Sequence, residues 1–304
     1  MKIYLNRKPV EGAWGGGNKS VSLLASMLMR RGHEVIFDLI PGKIDLIFCF
    51  DPRPNEKGEW YQNFLDYKSV QNVPILQRVG DVGTHSKPDL TKLVMQSTQL
   101  SDFVFFPSEW AKNYIDHAKD NFKIVRNFPM SKFYKKRCEE GVHTPFSIAT
   151  HHWSTNPKKG FETYRFLDEY CLNSRHKFTY AGRKPDHVNF QNWVPPLEDE
   201  EIVEFLSCHN VYLTASEEEA GANHVQEAMA AGLPIIYKVG GGSIDEYVGD
   251  AGISFKNQQD LFRILESKET LTRINSAKKN SLKQTKTLED SILTYVEKIE
   301  EIGK

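Results

Sequence analysis

Apolar and polar positions alternate between two rhythms along this chain. Residues 2–6 form a short apolar stretch that predicts a strand. Residues 20–31 place Val21, Leu24, Ala25 and Leu28 at helical spacing, and Gly32 follows as a stop signal. Residues 34–39, 44–50, 73–77 and 103–106 read as further strands. The run 44–50 is almost continuously apolar, as expected where a strand is covered on both faces. Segment 127–141 breaks the rhythm with Pro129, the basic run Lys135-Lys136-Arg137 and Gly141, and reads as the connection between two domains.

The rhythm then restarts. Strands are expected at 146–150, 177–181, 211–214 and 234–238. Helices are expected at 161–172, 198–207, 223–231 and 258–266. A final helix, 288–302, carries one apolar stripe: Leu288, Ile292, Tyr295, Val296 and Ile299. Strand–helix alternation in both halves predicts an α/β chain with two Rossmann-like, doubly wound domains facing a central cleft. The expected division is 1–140, 141–286, and a terminal helix 287–304 crossing back to the first domain.

Composition narrows the class. The chain has 304 residues, enough for two domains, with 39% hydrophobic and 26% charged residues and a formal net charge of −1. No basic excess points to nucleic acid, and membrane contact is expected to be peripheral at most. No apolar run is long enough to span a bilayer. Cys49, Cys138, Cys171 and Cys208 show no paired spacing and read as reduced thiols, so a cytoplasmic location is expected.

Candidate chemistry falls on loops after strands. Gly15, Gly16 and Gly17 precede the first helix, where backbone can approach an anion closely; neither a P-loop nor a dinucleotide fingerprint is completed there. Glu219 and Glu227 flank Gly221, Ala222, Asn223 and His224 at a helix start. One carboxylate there suits sugar hydroxyls, free amides suit a diphosphate, and the second carboxylate suits a ribose diol; the alternative is an acidic loop, Glu217-Glu218-Glu219, that merely caps the helix. His151-His152-Trp153-Ser154 leads to Lys159, a point charge for phosphate. Neighbouring histidines at a strand end point to opposite sides and no third ligand recurs nearby, so no metal site is expected. Arg78, Asp81 and His85 cluster after a strand of the first half, as an acceptor or sugar pocket or as a local Arg–Asp pair. Arg183 could reach phosphate, and backbone near Trp193 and Val194 could hold a base edge; solvated loops are the plain reading of both.

Taken in order, these segments resemble the retaining glycosyltransferases of family 4, which have the GT-B fold. The likeness runs from residue 15 to about Phe255. It is carried by Glu219 and Glu227 with seven residues between them, by Glu-Ala-Met-Ala-Ala-Gly-Leu-Pro from Glu227, and by Asn-Pro-Lys-Lys-Gly ending at Gly160. Phe106-Pro107-Ser108-Glu109-Trp110-Ala111 and Asp245-Glu246-Tyr247-Val248 also resemble family segments. The resemblance implies a metal-independent enzyme with no cofactor, a nucleotide-sugar donor, and a glycan, lipid-linked or other small acceptor. It implies that Glu219 binds the donor sugar, Glu227 the ribose, and Lys159 with the glycine loop the diphosphate. Three departures stand out. Trp153 occupies the place of a family arginine, for which Arg183 is a stand-in. Gly80 occupies the place of a histidine, with Asp81 or His85 as stand-ins. Ala220-Gly221-Ala222 replaces Gly-Phe-Gly. Competing readings are another GT-B enzyme such as an epimerase or phosphorylase, a non-catalytic sugar-nucleotide binder, and an NAD-dependent enzyme.

Overall fold

The computed structural model describes residues 1–10, 16–40 and 42–303. They form two compact units: Met1–Asn127 together with Leu288–Lys304, and Phe128–Thr287. The boundary therefore falls at 127/128 and not at 140/141. The physical reason is the basic run of the expected connection. Arg137 donates to the carbonyls of Ala230, Leu282 and Gln284 at 3.0, 2.9 and 2.6 Å, which stitches this segment into the second unit.

In the first unit the chain runs β1 (Lys2–Leu5), α1 (Gly16–Arg30), β2 (Glu34–Ile36), β3 (Leu46–Cys49), α2 (Tyr61–Gln71), β4 (Ile75–Arg78), α3 (Pro88–Leu100), β5 (Phe103–Phe106), α4 (Glu109–Tyr114) and β6 (Phe122–Ile124). The six strands form one parallel sheet in the order β2-β1-β3-β4-β5-β6. Strand order reverses between β1 and β3. Crevices at such switch points, outside the carboxyl ends of the strands, are where doubly wound sheets bind ligands. β3 and β4 are buried at every position, as their apolar run predicts for β3. Gly32, at φ +84°, closes α1: its amide donates to Met29, and the His33 amide to Leu28.

The second unit holds β7 (Ser147–His152), α5 (Phe161–Leu172), β8 (Lys177–Gly182), β9 (Trp193–Val194), α6 (Asp199–Ser207), β10 (Val211–Thr214), α7 (Asn223–Ala230), β11 (Ile235–Lys238), α8 (Ser243–Val248), β12 (Gly252–Phe255), α9 (Gln258–Glu266) and α10 (Thr270–Ser281). Its parallel sheet has the order β12-β11-β10-β7-β8-β9, so the switch lies between β7 and β10. The chain then rejoins the first unit as α11 (Leu288–Ile302). The apolar stripe of α11, Ile292, Tyr295, Val296 and Ile299, is buried with Val21, Leu24 and Leu28 of α1 in one core. Tyr295 packs edge-on to Phe105 with ring centres 4.7 Å apart.

Candidate functional site

The second unit gathers its functional side chains at the β7/β10 switch. β7 runs two residues further than its apolar pattern predicts, so His151 and His152 are strand residues. Their side chains bond to different helices. The Nε2 atom of His151 lies 2.9 Å from a carboxylate oxygen of Glu227 on α7. The Nε2 atom of His152 lies 2.7 Å from the Tyr164 hydroxyl on α5, and that hydroxyl accepts the Ala215 amide after β10 at 2.9 Å.

Lys159 reaches the site through a tight turn. The Asn156 side chain caps Pro157–Lys159 by accepting the Lys158 amide at 3.0 Å. Gly160 follows at φ +87°, and a Cβ there would stand 2.5 Å from the Ala215 carbonyl oxygen. Only glycine lets the turn press this closely on the end of β10. The lysine thereby meets Glu219 in an ion pair whose side chains are each 12% exposed. The neighbouring carboxylates are matched too: Glu218 with Lys158, and Glu217 with Lys238 of β11. The acidic run is thus a ladder of ion pairs and not a set of helix caps.

Glu219 itself is gripped by a loop that sequence reasoning missed. Its amide donates to the Gly241 carbonyl at 3.1 Å, and its carbonyl accepts the Ser243 amide at 2.8 Å. Gly242, at φ +72°, passes so near that a Cβ would sit 2.5 Å from the Glu219 carbonyl oxygen. The available signal was Gly240-Gly241-Gly242 between a strand and a helix, the same pattern noted at Gly15–Gly17. This loop also corrects one expectation. The amides of Ala222 and Asn223 are not held ready for a ligand. The first donates to Ser243 Oγ at 3.0 Å and the second to the Gly221 carbonyl at 3.0 Å, because α8 starts directly against α7.

His224 lies under this cluster, bonded to Thr214 Oγ1 at 3.0 Å, with its ring 4.9 Å from that of His152. Burial pushes its pKa down to about 3; the positive charge of Lys159 adds to this and Glu219 opposes it. His224 is therefore neutral near pH 7. Two buried polar atoms on these elements, Nδ1 of His151 and Oδ1 of Asn223, have no hydrogen-bond partner among the described residues. Buried polar atoms are nearly always paired in folded proteins, so these two orphans, at the end of β7 and the start of α7, mark a place suited to a polar ligand.

The remaining expected residues divide into three sets. Arg183 stacks on the Trp153 ring at 4.0 Å, so its cation stands beside the residue for which it is the expected stand-in. Its amide donates to the His152 carbonyl at 3.1 Å, which fixes this loop to the end of β7. Ser154 Oγ accepts the Asn156 amide at 3.2 Å, within the turn that leads to Lys159. Trp193 and Val194 form β9 at the sheet edge, where the Trp193 indole donates to the Gly182 carbonyl at 2.9 Å and Lys184 sits 5.6 Å from its ring. Arg78, Asp81 and His85 belong to the first unit; Asp81 pairs with Lys87 at 2.7 Å and accepts the Gly83 amide at 2.8 Å. Gly15 lies outside the described residues, and Gly16 and Gly17 are the first residues of α1.

Among the described residues, no group of three or more His, Cys, Asp or Glu side chains is gathered to hold a metal ion. Among the same residues, no helix is long and apolar enough to cross a membrane.

Comparison with known proteins bears on this geometry. The family model "Glycosyl transferases group 1" matches residues 174–281, a stretch that carries both Glu219 and Glu227. No curated protein matches the chain. Solved structures match over nearly the whole length. Sucrose-phosphate synthase from Thermosynechococcus elongatus is 14% identical, covering 99% of each chain with a TM-score of 0.70. Anabaena HepE, solved in complex with UDP and glucose, is 14% identical, covering 98% of this chain and 99% of its own, with a TM-score of 0.67. WaaG, a glycosyltransferase involved in lipopolysaccharide biosynthesis, is 13% identical over 97% and 98%, with a TM-score of 0.63. At these identities the likeness establishes architecture: two parallel six-stranded sheets in the GT-B fold.

Proposed function

We propose that this chain is a retaining glycosyltransferase that moves a sugar from a nucleoside-diphosphate sugar to an acceptor hydroxyl without a metal ion. The observation that carries the reading is the convergence of Lys159, Glu219 and the His151–Glu227 pair at the β7/β10 switch. The match to group 1 glycosyl transferases over residues 174–281 supports it, as do fold relatives solved with UDP and UDP-glucose. In this reading Glu219 grips the sugar hydroxyls and Glu227 the ribose diol. Lys159 and Arg183 hold the diphosphate, and backbone of β9 meets the base.

The chemistry follows from charge. The bond from the sugar C1 to the diphosphate oxygen breaks, positive charge grows on the ring, and negative charge grows on the departing phosphate. A fixed ammonium and preorganised donors stabilise that charge. The departing phosphate oxygen takes the proton of the acceptor hydroxyl as that hydroxyl attacks C1 from the same face, which retains configuration without an enzyme nucleophile. Loss of one such donor costs about 3–4 kcal/mol, or roughly a hundredfold or more in rate. Lys159→Ala and Glu219→Ala are each expected to cut transfer or donor hydrolysis at least about a hundredfold while the circular dichroism spectrum is kept. Donors are found by a thermal-shift screen of nucleoside diphosphates and their sugars. EDTA is expected to leave the rate unchanged. Near-normal turnover in either variant, or an absolute need for a divalent ion, refutes the proposal.

A further inference from the structure

Arg78 closes β4 with only 7% of its surface exposed, yet no carboxylate among the described residues pairs with it. Its guanidinium donates to the Asn127 side-chain carbonyl at 3.2 Å, lies 6.0 Å from the centre of the Phe50 ring, and meets the hydroxyl of Tyr295 on α11. All three neighbours are neutral. The other arginines near this sheet edge are matched: Arg53 forks onto Asp51 at 2.6–3.2 Å, and Arg7 meets the same carboxylate at 3.4 Å. A buried cation without a counter-charge is costly to fold, so its retention points to an anion it receives.

Its place in the fold strengthens the point. The Asn6 side chain ties the carboxyl ends of β1 and β3 together, donating to the Asp51 carbonyl at 2.6 Å and accepting the Phe50 amide at 2.7 Å. These two strands form the switch point of the first sheet, and Phe50 and Arg78 stand directly beside it. Gly80 clears room: a Cβ there would come within 2.6 Å of Arg78 Nη1. Around Arg78, the ion-paired residues past these strands are Arg7 and Arg53 sharing Asp51, and Lys87 with Asp81, so these five together with Arg78 carry two more positive than negative charges.

We infer that the first unit recognises its substrate through a phosphate group held in the fork of Arg78 at the β1/β3 switch point. Resting on the glycosyltransferase reading, this makes the acceptor a phosphorylated sugar or alcohol and not a neutral glycan. The guanidinium offers paired N–H donors to two phosphate oxygens, and the local surplus of two positive charges suits a dianion better than a carboxylate.

The test uses the full chain with UDP at saturation, so that the diphosphate subsite of the second unit is filled. Inorganic phosphate and, at matched ionic strength, acetate are titrated while melting temperature and heat of binding are read. Phosphate is expected to raise the melting temperature saturably in the natural protein. Its apparent affinity should fall at least about tenfold in Arg78→Met and partly in Arg78→Lys, which keeps charge but loses the fork. Without phosphate, Arg78→Met should melt no lower than the natural protein, since it removes an uncompensated buried charge. An unchanged phosphate response in both variants overturns the inference, as does an equal response to acetate. If Arg78→Met fails to fold, Arg78→Lys decides. A marked loss of stability in Arg78→Lys as well would make the arginine a structural cation and overturns it too. If UDP does not bind, another nucleoside diphosphate that does takes its place; binding of none would refute only the glycosyltransferase reading, and the phosphate titration is then read in a Lys159→Ala background.

Discussion

Replacing Lys159 by methionine should destabilise the second unit far more than the same change one residue earlier. Lys158 and Lys159 are adjacent, and each pairs with an adjacent glutamate of one loop. Their burial differs. The Lys159–Glu219 side chains are each 12% exposed, those of Lys158 and Glu218 35% and 39%. Removing one partner of a buried pair leaves a charge in poorly solvating surroundings and costs about 3–5 kcal/mol. Because Glu219 keeps some access to water, about 3 kcal/mol is expected. The exposed pair is screened and should lose no more than about 1 kcal/mol. For a unit of this size 1 kcal/mol moves the melting temperature by about 2–4 °C, so Lys159→Met should lower it by about 6–12 °C and Lys158→Met by at most about 4 °C. Thermal and urea unfolding followed by circular dichroism, without nucleotide, measures both. The double variant Lys159→Met with Glu219→Gln removes the carboxylate charge that lost its lysine and should recover most of the loss, giving a coupling of about 2 kcal/mol. Equal losses at 158 and 159, or an additive cycle, would refute the reasoning from burial.

Two further outcomes are expected. His224 has its pKa pushed down to about 3 by burial, from 6.5 when exposed. Between those values the unfolded chain takes up a proton that the folded chain refuses, so its contribution to stability falls as pH drops, by up to about 1.4 kcal/mol per pH unit. Urea unfolding at pH 6 and pH 5 should show a shallower loss in His224→Gln, and an equal slope would contradict this. Gly182 has φ +118°, and a Cβ there would stand 1.9 Å from the His152 carbonyl oxygen. Gly182→Ala should therefore cost about 3 kcal/mol by strain and displace the end of β7; an unchanged urea midpoint argues against it.

Periodicity made the sheets legible. The apolar runs at β3 and β10 are buried throughout and that of β5 from Val104 on, and the stripes of α1 and α11 are buried as the spacing requires except at Leu288. Helices with weak stripes were not: α2 buries only Tyr61 and Phe64, and its polar remainder resembles loop sequence. At the site, residue type and loop position pointed to Glu219, Glu227 and Lys159. Their partners could not be read, because Lys159 and Glu219 are 60 positions apart and His151 and Glu227 are 76 apart. Local spacing contains no record of which strand ends the fold sets side by side. Arg78 shows the same limit from the other side: it reads as a loop residue beside Asp81, whereas the strand extends one residue further and the carboxylate turns to Lys87.

The second unit is one unbroken stretch of chain, whereas the first is assembled from two pieces that bracket it. Cleavage near 127 and near 287 would release residues in between as a single fragment. The last helix would stay behind without a covalent bond, held by the face it shares with α1. A gene fragment ending at 287 would encode all of the second sheet but a first unit stripped of Ile292, Tyr295, Val296 and Ile299. Deletion mapping from the carboxyl end would then report damage in the half of the molecule that is translated first.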